Sequence, residues 1–154
     1  MIDKNSTKEE VLEAVKQKGS ALLYASYELQ GDRDVVLEAV QRYGLALMYA
    51  CGGLRADREV VLEAVRQAGW ALEYASEELR NDEEVVMAAV DNEPEALQYA
   101  SEELRADPEI VLAAVRESRH SVRYAGEEVI EEMAVCWAEW YRTHRLHQKY
   151  GDKK

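Results

Sequence analysis

Residues 60–79 read VVLEAVRQAGWALEYASEEL, and the pattern is written five times along the chain. The pentad that starts at Val61 has counterparts starting at Val11, Val36, Val86 and Val111, each 25 residues from the next. The same step carries a Tyr-Ala pair through Tyr24, Tyr49, Tyr74, Tyr99 and Tyr124, and an apolar stop through Leu29, Leu54, Leu79, Leu104 and Val129. Five copies in unbroken register are the mark of a repeat architecture, in which one supersecondary unit recurs and no insertion is tolerated.

The pattern inside one unit is helical. Asp32 is a natural N-cap, and Val36, Ala39, Val40 and Tyr43 follow at i, i+3, i+4 and i+7. The cap recurs as Thr7, Asp57, Asp82 and Asp107. Thr7 with Glu10 forms a capping box, and Pro108 takes the first helical position, where a missing N–H is harmless. Gly19, Gly44 and Gly69 mark the turn to a second helix. Pro94 at the same place in the fourth unit suits a helix start, and Ala21, Leu22, Ala25 and Leu29 then share one stripe. The first helix is apolar over much of its circumference (Val35, Val36, Leu37, Ala39, Val40), so it needs cover on both sides. Stacking the copies supplies it. The expectation is an all-α fold, an α-solenoid of five 25-residue helix-turn-helix repeats forming a single domain over residues 1–154. The repeats fall at about 7–31, 32–56, 57–81, 82–106 and 107–131. A longer capping helix at about 127–150 carries Met133, Val135, Cys136, Trp137, Trp140, Tyr141 and Leu146.

Charge narrows the partners. The chain holds 31 acidic and 19 basic residues, a net charge of -12, which repels nucleic acid. Residues 142–154 nevertheless carry +4, leaving -16 on residues 1–141. That basic end is either a solvated tail or an element that docks on an acidic surface of a second copy, giving a homodimer through the C-terminal helix. The polar start, MIDKNSTKEE, and the lack of any run near the roughly 18 apolar residues of a span argue against a secretory leader and a membrane. Cys51 and Cys136 stand in no metal-type or redox spacing, as expected for free thiols in a reducing cytoplasm.

A residue repeated in every unit is a packing element, so the tyrosines read as structure and function is sought where units differ. The variable positions are Lys18, Tyr43, Ala68, Glu93 and Ser118; Ser20, Leu45, Trp70, Glu95 and His120; and Leu23, Met48, Glu73, Gln98 and Arg123. Tyr43, Leu45, Met48 and Trp70 form a candidate apolar binding patch, because exposed aromatic and long apolar side chains anchor interfaces. Trp137 and Trp140 form a second candidate. Cys51-Gly52-Gly53 departs from the serine and glutamates of the other units. Two glycines weaken a helix by about 2 kcal/mol, so the second helix there is expected to fray or bend, with a close backbone approach, a hinge or plain drift as the cause.

His144 and His147, three residues apart and possible metal partners of His120, sit among Arg142 and Arg145, whose charge opposes a cation, so no metal site is expected. No phosphate loop, nucleophile elbow or zinc-protease motif occurs. The expectation is therefore a non-enzymatic protein–protein interaction module without cofactor, with a basic or mixed-charge protein partner. The alternative is a small-ligand binding or sequestering homo-oligomer, whose pocket would draw on Tyr and Trp side chains, His120 and Arg123.

The stretch VVLEAVRQAGWALEYASEELRNDEEVV, residues 60–86, closely resembles the tandem repeat known as domain of unknown function 4116. The resemblance covers roughly residues 7–129. It departs at Cys51-Gly52-Gly53, at Arg119-His120-Ser121-Val122 and at Gly126. It implies a tandem helical repeat; it attaches no general activity, and no catalytic residue carries over.

Overall fold

A computed structural model gives the fold of residues 2–132 and 134. Each unit opens with a ten-residue α-helix: Lys8–Gln17, Arg33–Arg42, Arg58–Gln67, Glu83–Asn92 and Pro108–Glu117. The caps read from the sequence hold these helices. Thr7 and Glu10 exchange both bonds of a capping box, and the Asp32, Asp57, Asp82 and Asp107 carboxylates accept first-turn amides at 2.9–3.2 Å. The solenoid is as expected, with successive units packed on one another and no strand among the described residues. No helix among them is long and apolar enough to cross a membrane. The expected C-terminal helix is seen at residues 127–132 and 134; the rest of it, with Cys136, Trp137, Trp140, His144 and His147, lies outside the described residues.

The second half of the unit differs from the helix expected there. It is a six-residue 3₁₀ helix, Gly19–Tyr24, Gly44–Tyr49, Gly69–Tyr74, Pro94–Tyr99 or Arg119–Tyr124, followed by a short turn. Ala21 and Leu22 belong to that helix, but Ala25 is already extended (φ -66°, ψ 158°) and Leu29 sits in the next turn, Leu29–Gly31. In units 2 to 5 the residue after the extended alanine sends its N–H to the preceding unit, which holds the break in the stack. Cys51 N donates to the Gln30 carbonyl at 3.0 Å, Ser76 to Arg55 and Ser101 to Arg80 at 2.9 Å, and Gly126 to Arg105 at 2.7 Å. Gly52 and Gly53 do not fray the chain: Gly52–Arg55 is a helical turn. A side-chain carbon at Gly52 would meet nothing within 4 Å, so a close backbone approach is not the reason for the pair.

Two layers result, long helices on long helices and 3₁₀ helices on 3₁₀ helices, with the apolar residues between them. Val35, Val36, Ala39 and Val40 are fully buried, as are Leu22, Leu47, Leu72 and Leu97 of the second layer. The glycine at the junction sets the separation of units. Gly44 has no left-handed backbone to require it, but a β-carbon there would lie 2.4 Å from the Ala64 carbonyl oxygen of the next unit. Gly19 and Gly69 stand equally close to Ala39 and Ala89.

Ion pairs tie the outer edge of the stack. Lys8 contacts Asp32 at 2.8 Å and Asp34 at 3.1 Å; Arg33 bonds Asp57 at 3.0 Å and also reaches Glu59; Arg58 bonds Asp82 at 2.9 Å and Glu84 at 2.6 Å. Arg58 is the main reason that Asp82 titrates below the usual carboxylate range. At Asp32 and Asp57 partial burial works the other way, and is outweighed by Lys8 and Val35 N–H at the first and by Val60 N–H and Arg33 at the second. Units 4 and 5 lack this tie among the described residues: Glu83 holds the place of the cation, while Asp107 and Glu109 keep the places of the acids.

Candidate functional site

The surface of the second layer follows from 3₁₀ geometry. With three residues per turn, side chains at i and i+3 eclipse, so two of the variable positions fall on one edge of each helix. The pairs are Ser20 with Leu23, Leu45 with Met48, Trp70 with Glu73, Glu95 with Gln98, and His120 with Arg123. The third variable position, occupied by Tyr43 in unit 2, is the extended residue that joins the two helices of a unit. Stacking lays these rungs side by side as one face.

Contacts along the face run from one unit to the next. Trp70 meets the Tyr99 ring edge-on, with centroids 6.0 Å apart and planes at 76°. Burial first, then the nearby Glu73 carboxylate, raises the Tyr74 and Tyr99 hydroxyls above their ordinary range. Ser118 Oγ donates to Glu95 Oε1 at 2.8 Å, and the Arg123 guanidinium lies 5.9 Å from the centre of the Tyr124 ring.

The chemistry of the face changes with unit number. In units 1 and 2 Leu23 is 46 % exposed, Tyr24 58 %, Tyr43 40 % and Met48 42 %, and Tyr27 beyond them is freer still. Units 3 and 4 expose no large apolar side chain among the described residues and place Glu73, Glu93 and Glu95 at the matching positions. Unit 4 as a whole carries eight acids against one base, Arg105.

The family model of the Domain of unknown function (DUF4116) matches residues 7–55, 57–97 and 82–130. The chain belongs to this family. No curated protein and no solved structure matches it. The three matched segments together overlie the five structural units, each segment spanning about two of them.

Of the residues singled out in the sequence, Tyr43 and Met48 are exposed on this DUF4116 face, whereas Leu45 is half-buried against the core and Trp70 half-buried against Tyr99. His120 is exposed, with Arg123 one turn away beside Tyr124, two units from Trp70. A groove of about 1040 Å³ lies between the long helices of units 3 and 4, lined by Arg58, Arg66, Asp82, Glu84, Met87 and Asp91, and holds none of the candidate residues. Among the described residues no cluster of His, Cys, Asp and Glu could hold a metal ion. Sequence reasoning counted Leu23 among the variable positions but left it, with Tyr24 and Tyr27, out of the candidate patch. The missed signal was position: Trp70 of unit 3 leans on the tyrosine of unit 4, whereas no unit among the described residues stands before Tyr24 to cover it.

Proposed function

We propose that this DUF4116 chain is a non-enzymatic binding module of the reducing cytoplasm, and that its 3₁₀ face recognises a protein partner. One observation carries the reading: the variable residues Leu23, Tyr43 and Met48 stand exposed on units 1 and 2, beside the exposed Tyr24, at positions that are polar or covered in units 3 and 4. Repetition explains a side chain held constant for packing. It does not explain apolar side chains that vary from unit to unit and stay in water, and a contiguous patch of this kind marks an interaction surface. The acids that follow along the same face favour a partner with basic as well as apolar residues. The half-buried free thiol of Cys51 suits a reducing compartment.

The test is capture with the immobilised chain against the double variant Tyr24→Glu, Met48→Glu, both exposed changes that leave the core intact. Loss of about tenfold or more of a specific partner is expected. An unchanged set of captured proteins overturns the assignment of this face.

A further inference from the structure

We infer that the occupant of the 3₁₀ face is the C-terminal segment of a second copy of this chain, its Trp137 and Trp140 on units 1 and 2 and its lysines and arginines over units 3 and 4. The inference rests on the binding-module reading and names its partner. Two observations carry it, the order of the chemistry and the reach of the chain.

Along the face, exposed Leu23, Tyr24 and Met48 come first and Glu73, Glu93 and Glu95 follow. Residues 137–154 are written in the same order: Trp137, Trp140 and Tyr141, with Glu139 between the tryptophans, then Arg142, Arg145, Lys149, Lys153 and Lys154 with one acid, Asp152, among them. Laid with its aromatic end on units 1 and 2, the segment brings its cations over the acids. Reversed, it would set its charges over apolar side chains and its tryptophans over carboxylates. Complementary charge of this kind fixes register and excludes the reversed arrangement more than it adds raw affinity.

Reach decides between the same copy and another. Residues 127–132 and 134 are helical, so Ala134 stands about 12 Å from Gly126. Three more residues, even fully extended, carry Trp137 at most about 11 Å further. Met48 lies three units from unit 5 and Leu23 four, about 27 and 36 Å at the 8–10 Å spacing of packed helices. Trp137 therefore falls short of its own patch, and Trp140, at most about 22 Å beyond Ala134, comes level with Met48 only on a fully extended chain. One copy cannot seat both tryptophans on its own patch in this order, whereas a second copy meets no such limit. Two copies exchanging segments would bury both patches symmetrically.

The test uses the full chain, ¹⁴N- and ¹⁵N-labelled copies mixed and treated with a zero-length carbodiimide, which joins amines to carboxylates in contact. Links from Lys149, Lys153 or Lys154 to Glu73, Glu93 or Glu95 are expected in mixed-isotope pairs. A self-association constant near about 10 µM, measured by sedimentation, is expected to weaken about tenfold or more in Met48→Glu. Lysine links confined to one isotope, or a chain that stays monomeric well above that concentration, overturn the inference. Partner capture that still depends on Tyr24 and Met48 would then leave the binding-module reading standing with a foreign occupant; its loss would remove both.

Discussion

Gly44→Ala adds a methyl group where the structure leaves least room. The new carbon would lie 2.4 Å from the Ala64 carbonyl oxygen, 2.9 Å from the Ala68 nitrogen and 3.0 Å from the Ala68 β-carbon. The nearest two are main-chain atoms of the next unit, so no rotamer change relieves them. Restoring an ordinary contact of 3.4 Å to the oxygen requires units 2 and 3 to part by the difference, 1.0 Å. A gap of that size forfeits a quarter to a half of the attraction between facing atoms. The side chains that lose it include Leu47, Val60, Val61 and Val65, all fully buried. The expected loss is about 3 kcal/mol, at the upper end of overpacking. Gly52→Ala is the matched comparison, because it adds the same methyl in the same unit, in a helical turn, where nothing lies within 4 Å. It should stabilise by about 0.5–1 kcal/mol through helix propensity and reduced unfolded-state freedom. Urea unfolding followed by far-UV circular dichroism measures both. A loss below about 1 kcal/mol for Gly44→Ala, or any loss for Gly52→Ala, would refute close approach as the reason for the junction glycine.

Ser121 is fully buried, its hydroxyl has no partner, and the equivalent residues are Ala21, Ala46, Ala71 and Ala96; Ser121→Ala should therefore raise stability by about 1 kcal/mol in the same unfolding assay. Glu83→Arg restores the missing cation between units 4 and 5 and should raise the thermal midpoint, whereas an unchanged or lower value would show that the Arg58 arrangement does not transfer to this junction. Asp32, Asp57 and Asp82 titrate below the ordinary 3.8 in the folded chain, so their contribution is complete above that pH and is lost as pH falls through the depressed values. Urea midpoints should stay level from neutrality to about pH 4 and fall below it; a decline that begins near pH 6 would point to other groups.

The period, the long helices and their caps were legible because each rests on local chemistry: an Asp before an apolar run at helical spacing specifies a helix start wherever it occurs. The second layer was less so. Ala21, Leu22, Ala25 and Leu29 fit an α-helical stripe, but the chain forms a 3₁₀ helix that ends at Tyr24, and the bond that ties the same break to the preceding unit in units 2 to 5 exists only once units are stacked. The junction glycines were placed correctly and explained wrongly, since a turn signal and a spacing requirement look alike in one dimension. Lys8, Arg33 and Arg58 recur at the repeat interval and pair with the next cap, yet sequence reasoning passed over them because the partners lie 24 residues on. Met48 and Tyr43 were readable as surface candidates. Leu45 and Trp70 were not separable from them, because burial along a 3₁₀ edge depends on the neighbouring unit.

The hydrogen bonds between units join residues 20 to 26 positions apart: Lys8 to Asp34, Gln67 to the Gln41 carbonyl, Asn92 to the Arg66 carbonyl, Ser101 to Asn81. Each such bond closes a loop of about one repeat, and the entropy of closing it is the same wherever it lies in the array. Lengthening the array adds loops without making any of them longer. Folding speed should therefore be set by the docking of two adjacent units and stay nearly independent of how many follow. During synthesis, each unit can find its complete interface as soon as the next 25 residues have emerged.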